Sequence, residues 1–406
     1  MIGIIDTNKI INEFNDFFDR ENISQTNRDL VLDYMDSMFI AIPRLAPGTI
    51  KRNVEYMQFV LTHIKTNLDK LTIRDVNTFK RVMLDWKRAD GKPIAESTQT
   101  QYLVGFKRFM KWYDDTIDEN SGYPKLSKQI KTRTPKSNKL PSDLLTTEEI
   151  EKIIMTADGE RDKAIIATLA ESGCRIGEIT SCRVKDVDFS NNECHLTFPK
   201  GKTGSRTILL EFSAEYLNQW LRRHPYNDEP DAPLWVTKKL KNTGSKKDKK
   251  LECYAIEYDS MHGIVKRTAE RAGIKKRVHP HLFRHTAATR LSKKLKEAEM
   301  KVYLGWASDS SMPATYIHLG GKDIDNAVRV MNGTAKVETK DEGGLKVIEC
   351  RRCNSIVPAG AMYCLKCGLP LTKAAEQGYQ SKKSEMLAML AKHQDVFIEI
   401  MADFNK

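Results

Sequence analysis

The sequence lacks any run of about 18 consecutive apolar residues, which excludes a helical membrane span. Its first residues, MIGIIDTNKIINEF, lack the basic stretch and apolar core of a secretory leader. Together these two absences lead to the expectation of a cytoplasmic protein. A P-loop is missing, and no cluster of carboxylates surrounds the motifs described below, so neither nucleotide-driven chemistry nor a carboxylate-held catalytic metal has ligands to work with. Acidic residues are absent from 120–142, where Lys125, Lys128, Lys131, Arg133, Lys136 and Lys139 stand among three prolines. That stretch keeps no apolar period and is expected to be an extended basic connector, able to lie along a polyanion backbone or to serve only as a tether. A disulfide framework is also missing. Cys174, Cys182, Cys194 and Cys253 are scattered, as free thiols are in a reducing compartment.

What is present is positive charge. The net charge is +12, and charged residues at 30% with hydrophobics at 40% describe a soluble globular protein. That balance favours a polyanionic partner, DNA or RNA, over a merely basic enzyme. The length of 406 residues suits two or three domains.

The first third reads as helices. Leu30, Tyr34 and Met38 keep a helical period, as do Ile50, Val54, Met57, Leu61 and Ile64. Thr72 and Asp75 form a capping-box start before Val76, Phe79, Met83 and Trp86. Tyr102, Phe106, Phe109 and Tyr113 form an aromatic stripe on a fourth helix, read as core packing rather than base stacking. Lys51, Arg52, Lys80, Arg81, Lys87, Arg88, Lys107, Arg108 and Lys111 are interleaved on the other faces.

In the middle, Thr146 and Glu149 start a helix carrying Ile150, Ile153 and Ile154, and a buried helix spans 162–172. Gly173 ends it, and Arg175 with Glu178 opens the next. Taken alone, that pair reads as an ordinary i, i+3 contact. The stretches 184–189, 194–199 and 205–210 read as short strands, with Gly201 and Gly204 favouring a tight turn. Residues 238–250 carry seven lysines against one Asp, which suggests a disordered or DNA-facing insertion.

The stretch HPHLFRHTAATRL puts His281, Arg284 and His285 on one side of a helix turn. LGWASD and then TYIHL follow, with Trp306 and Tyr316. The residue types suit phosphodiester chemistry: an arginine can grip two phosphate oxygens, a histidine can move a proton near neutral pH, and a tyrosine can attack phosphorus.

These motifs resemble the catalytic core of the tyrosine recombinases, the phage-integrase and Xer-like family. The resemblance implies a mainly α fold with a small antiparallel β-sheet. It implies a helical core-binding (SAM-like) DNA-binding domain at 10–119, the basic linker at 120–142 and a catalytic domain at 143–335. It makes Arg175 and Arg284 the arginines that bind non-bridging oxygens, with Glu178 as the family's acidic residue. His281 becomes the base or proton shuttle, and Tyr316 the nucleophile that forms a 3′-phosphotyrosyl bond. Lys202, in a Lys-Thr-Gly hairpin, is the better match to the general acid, with Lys200 the alternative. Trp306 stands where most members carry His and some Trp. His285 matches a neighbour read as structural. Trp306 and Tyr316 stand one residue further apart than the family spacing, which points to an enlarged loop near Met312 and Pro313; Tyr303 is the nearby rival nucleophile. The family's chemistry uses no ATP and no catalytic metal. The implied partners are double-stranded DNA at specific sites and further copies of the chain, as a homodimer or homotetramer on DNA, with no membrane. A helix at 323–331 would dock on a neighbouring protomer or pack on its own domain. The alternatives are a non-catalytic zinc-ribbon DNA-binding protein on a retired recombinase scaffold, and a type IB topoisomerase, which shares the chemistry.

Outside that pattern, Cys350-x-x-Cys353 and Cys364-x-x-Cys367 form two knuckles ten residues apart. Four thiolates so spaced predict a closed, structural Zn2+ site in a zinc ribbon at 345–372. Met386, Leu390, Phe397 and Ile400 predict an amphipathic helix within 376–406 that covers the ribbon or joins protomers.

Overall fold

A computed structural model describes residues 7–41, 45, 47–88, 90–116, 125–132, 143–191, 193–201, 203–242, 249–317, 329, 331–332 and 345–392. The chain divides into two compact units, 1–138 and 139–406. No helix among the described residues is long and apolar enough to cross a membrane.

The first unit is helical: α1 (Thr7–Arg20), α2 (Gln25–Phe39), α3 (Pro47–His63), α4 (Ile73–Asp85) and α5 (Glu96–Thr116). The sequence suggested four helices here; α1 is the addition, and it buries Phe14, Phe17 and Phe18. Thr72 and Asp75 do form a capping box at the start of α4. The expected period of α3 is the buried one, with Ile50, Val54, Met57, Leu61 and Ile64 all in the core. On α5, Phe106 and Phe109 are fully buried, and Phe109 meets the Tyr34 ring edge-on at 5.3 Å. The aromatic stripe is therefore core. Gly105 lets α3 and α5 close together, because a Cβ there would overlap the Tyr56 ring. Lys51, Arg52, Arg81, Lys87, Arg88, Arg108 and Lys111 remain exposed.

The connector is not extended throughout. Leu126–Gln129 form a helical turn, α6, and Ile130 is fully buried in the first unit's core. An apolar pair, Leu126 and Ile130, recruits this part of the basic stretch to the helices despite its charge. The rest of 120–142, except 125 and 131–132, lies outside the described residues.

The second unit begins with α7 (Thr147–Thr156), capped by the Thr146–Glu149 box, and α8 (Gly159–Ser172). Then come α9 (Ile176–Ile179), β1 (Val187–Asp188), β2 (Cys194–Phe198), β3 (Arg206–Leu210) and α10 (Ala214–Arg222). The strands make one antiparallel sheet in the order β1-β2-β3, with Leu196 opposite Ile208 and Phe198 opposite Arg206. The first strand is shorter than expected, because Val184–Asp186 coil into a 3₁₀ turn in which the Asp186 carboxylate accepts from the Arg183 N–H. Of the lysine-rich stretch, the flanks are strands, since β4 (Val236–Asn242) and β5 (Lys249–Ala255) pair antiparallel, and 243–248 lie outside the described residues. Lysines tolerate a two-stranded ribbon because the pairing rests on backbone hydrogen bonds. The unit continues with α11 (Tyr258–Arg271), α12 (Pro280–Ser292) and α13 (Glu297–Leu304).

The core of this unit gathers Ile165, Leu169, Leu196, Phe198, Phe212, Trp235, Val265 and Phe283 from helices and sheet. Glu171, near the end of α8, accepts from the backbone N–H groups of Glu211, Phe212 and Ser213 and so ties the exit of β3 to α8.

At the far end, β6 (Val347–Glu349) and β7 (Ile356–Pro358) form a small ribbon, and α14 (Lys373–Lys392) follows. Leu345, Val347 and Leu365 pack against the main core, and the Gln219 side-chain amide donates to the Leu365 carbonyl. The helix starts earlier than expected, and Met386, Leu387 and Met389 on it are exposed. Phe397 and Ile400 lie outside the described residues, as does most of the expected 323–331 helix.

Candidate active site

The site grows from the end of α8. Gly173 takes a left-handed conformation (φ 57°), as a helix C-terminus favours, and its backbone closes to van der Waals range of α12, where a Cβ would press on Ala287. The chain then turns into Arg175 and the short α9. The Arg175 N–H donates to Glu178 Oε2 at 2.8 Å, and its guanidinium Nη1 donates to Glu178 Oε1 at 2.8 Å. The same Nη1 reaches the Gly305 carbonyl at 2.9 Å, across 130 residues of chain.

Arg284 comes from α12. His279 accepts from the Leu282 N–H as the helix N-cap, and Pro280 pre-sets the first turn. One turn on, Arg284 is buried and donates to the Gly173 and Leu304 carbonyls, each at 2.8 Å. Burial, and then the nearby charges of Arg175 and Arg206, pull its pKa down to about 10. It still carries its charge at neutral pH.

Arg206, at the start of β3, completes the cluster. It donates to Glu178 Oε2 at 2.9 Å and to the Tyr303 carbonyl at 2.9 Å, and its guanidinium lies over the Phe198 ring at 4.6 Å. Burial works to raise the Glu178 pKa, but Arg206 and Arg175 outweigh it and hold the carboxyl below its ordinary value. Among these groups three guanidiniums therefore surround one carboxylate. The positive excess is fixed in place by backbone carbonyls rather than by further acids, which suits an anion of two charges or a transition state that gains one.

The turn after α13 brings in the remaining side chains. Gly305 is left-handed (φ 60°), and Trp306 follows it into the interior. Residues Met312–Thr315 form a 3₁₀ turn that leads directly into Tyr316. Tyr316 then stacks on Trp306, with ring centroids 5.7 Å apart and planes 12° off parallel, and the Arg284 guanidinium lies 5.5 Å from the Trp306 ring centroid. The Tyr316 hydroxyl and His285 Nδ1 are 2.6 Å apart. Burial raises the Tyr316 pKa, partly offset by the charge of Arg284. Tyr303, the rival, is pushed well up by burial, and its carbonyl is held by Arg206.

Of the residues singled out in the sequence, Arg175, Arg284, Trp306 and Tyr316 converge here. His281 is exposed on the first turn of α12. Lys202 lies outside the described residues; the turn that carries it is closed by mutual backbone bonds between Gly201 and Gly204, and Lys200 beside it is exposed. Position 201 sits against Glu178, where a Cβ would come within 3.6 Å of Oε1. Two further residues make contacts here. Arg206 is not singled out in the sequence, and His285 reads there as a structural neighbour. No sequence signal reveals either contact, since each partner is distant along the chain.

The second candidate site is the ribbon. The sulfurs of Cys350, Cys353, Cys364 and Cys367 all lie within 4.8 Å of one another, with Cys350–Cys367 and Cys353–Cys364 each at 3.6 Å. A disulfide requires about 2.05 Å, whereas four sulfurs about 2.3 Å from a central ion stand roughly 3.8 Å apart in a tetrahedron. The four thiols are thus spaced for a metal ion and not for cross-links.

Residues 143–322 match the model of the phage integrase family. The chain is 25% identical over 305 residues to tyrosine recombinase XerA of Saccharolobus solfataricus, which covers 73% of this chain and 91% of that protein. Among solved structures, the integrase of transposon Tn1549 in complex with circular intermediate DNA superposes with a TM-score of 0.53 at 16% identity, covering 75% of this chain and 99% of that one. A lambda integrase dimer bound to a COC' core site gives a TM-score of 0.53 at 13% identity, with 71% and 76% covered. At those identities the structures establish the fold.

Proposed function

The chain belongs to the phage integrase family, the tyrosine recombinases, and on that footing we propose that it cuts and rejoins double-stranded DNA at specific sites through a tyrosine–phosphate link. The observation that carries the reading is the convergence of Arg175 and Arg284, both anchored to the Gly173 and Leu304–Gly305 backbone, beside the Tyr316–Trp306 stack.

In this reading the two arginines hold the non-bridging oxygens of the scissile phosphate and stabilise the charge that builds as phosphorus becomes five-coordinate. Glu178 and Arg206 position Arg175. Tyr316 attacks, a 3′-phosphotyrosyl bond forms, and the 5′ oxygen leaves with a proton from Lys202, or from Lys200 on the same hairpin. His281, exposed at the start of α12, carries a proton at the phosphate. Trp306 packs the tyrosine and offers a ring N–H. The bond energy is kept in the covalent link, so a hydroxyl from a second strand reverses the step without ATP. The guanidiniums supply the charge, so the family's chemistry uses no catalytic metal.

The helical first unit and its basic connector would grip DNA as the second unit acts, with dimers or tetramers assembled on the sites, as in the DNA complexes of the structural relatives. Such an enzyme works in the cytoplasm. The four cysteines of the ribbon would hold one structural zinc ion, leaving no open ligand position.

The test is a nicked suicide substrate carrying candidate attachment sites. Wild type is expected to give a covalent protein–DNA band on denaturing gels, and Tyr316→Phe none. A band that persists in Tyr316→Phe would move the nucleophile elsewhere. Tight binding with no band on any site would favour a non-catalytic DNA-binding role.

A further inference from the structure

The family resemblance makes His281 the base or proton shuttle, but the nitrogen that meets the Tyr316 hydroxyl in the structure belongs to His285. We infer that His285, through Nδ1, accepts the proton of the attacking tyrosine. The inference rests on the recombinase reading above and assigns a chemical role to a residue first read as structural.

The geometry is specific. Tyr316 lies along α12 and is held at both ends by that helix. Ser292 Oγ donates to the Tyr316 carbonyl at 3.1 Å, and the Tyr316 hydroxyl meets His285 Nδ1 at 2.6 Å. Seven residues of α12 separate the two contacts. The Trp306 ring covers one face of the phenol. The phenol is thus clamped with its hydroxyl on a nitrogen. His281, by contrast, is exposed on the first turn of the helix.

The need for a base is physical. Burial holds Tyr316 protonated at neutral pH more firmly than in water, and a neutral phenol is a poor nucleophile. Arg284, adjacent to His285 in sequence, faces Gly173, Leu304 and the Trp306 ring. It favours the developing phenolate by charge, yet a guanidinium is no proton acceptor. The step balances as follows. The Tyr316 oxygen forms its bond to phosphorus while the bond from phosphorus to the 5′ oxygen breaks. The phenol proton passes to His285 Nδ1, giving an imidazolium. The 5′ oxygen receives a separate proton from the hairpin lysine. Religation runs both transfers backward.

The experiment separates attack from departure. The full-length chain is given nicked substrates with either an ordinary scissile phosphate or a 5′-bridging phosphorothiolate, whose sulfur leaves without a proton. Lys202→Ala should recover on the sulfur substrate. His285→Asn, which keeps a hydrogen-bond acceptor but no basic nitrogen, should stay slower by about a hundredfold on both, with DNA binding at the wild-type level. Should His285→Asn melt early, His285→Ala is read with added imidazole, and recovery of adduct is the expected result. An Asn variant within twofold of wild type, a variant rescued by sulfur, or a folded Ala variant unmoved by imidazole would each overturn the inference. If wild type itself forms no adduct on any site, the recombinase reading falls first, and that outcome is distinct.

Discussion

Arg206 and Glu178 form an ion pair at 2.9 Å in which the arginine side chain is 8% exposed and the carboxylate 3%. The pair joins the strand after the lysine-bearing hairpin to the helix start that carries Arg175. Because Glu178 also accepts from Arg175 at 2.8 Å, one carboxylate orients both guanidiniums.

Removing one partner should therefore cost far more than the pair itself contributes. Arg206→Met leaves a buried carboxylate half-satisfied, a situation that costs about 3–5 kcal/mol. Urea unfolding should show a loss of that order, with tyrosine–DNA adduct formation reduced as Arg175 loses its brace. A double-mutant cycle with Glu178→Gln should show strong coupling. Additive losses would mean that the pair is incidental.

The pH dependence of that pair has a definite sign. Glu178 titrates below its ordinary value in the folded chain. Its contribution is thus complete above the unfolded carboxyl pKa and is lost as pH falls through the folded one. Stability of the second unit should drop on acidification, and Glu178→Gln should flatten that limb of the profile.

Buried phenols are among the groups that limit alkaline stability. Burial pushes Tyr34 and Tyr216 up to about 12. An unfolded tyrosine ionises near pH ~10, so above that the unfolded chain sheds its proton first. Each phenol then withdraws up to about 2–3 kcal/mol between the two values. Denaturation at pH 8 and 11 should show the fall, with Tyr216→Phe lessening it in the second unit. Tyr34 has a buried hydroxyl with no hydrogen-bond partner among the described residues, so Tyr34→Phe should be neutral or stabilising at pH 7.

Gly305 is a second point of fragility. Its φ is +60°, and an added Cβ would stand 2.5 Å from Arg206 Nη1. Its carbonyl also accepts from Arg175. Gly305→Ala should cost about 1–3 kcal/mol through backbone strain and displace both arginines, so that adduct formation falls more steeply than melting temperature. Equal effects on both would point to simple destabilisation.

Metal analysis of the ribbon should find one zinc per chain, and Cys364→Ser should abolish it. With the metal removed, protease cleavage should open first within 345–372, because β6 and β7 are short and the buried centre of the ribbon is the cysteine cluster itself. Zinc absent from freshly purified protein, with unchanged protease resistance, would argue for a ribbon held by packing alone.

Residue spacing by itself determined α2 to α5 of the first unit, the two capping boxes and the two cysteine knuckles, while the roles of Arg175, Arg284, Trp306 and Tyr316 came from the family resemblance. Each depends on neighbours within one or two helical turns, or on a motif whose side-chain types admit little else. Other features were decided only by the tertiary structure. Residues 238–242 and 249–250 of the lysine-rich stretch became part of a paired ribbon because strand pairing draws on backbone groups that composition does not report. The basic connector gave up Leu126 and Ile130 to a core that no local pattern announced. Arg206 became the brace of Glu178, and His285 the partner of Tyr316, because β3 meets α9 and α12 meets the last turn across 28 and 31 residues of chain. Contacts at such separations come from the packing of whole elements, and the residues that make them carry no mark of it in sequence.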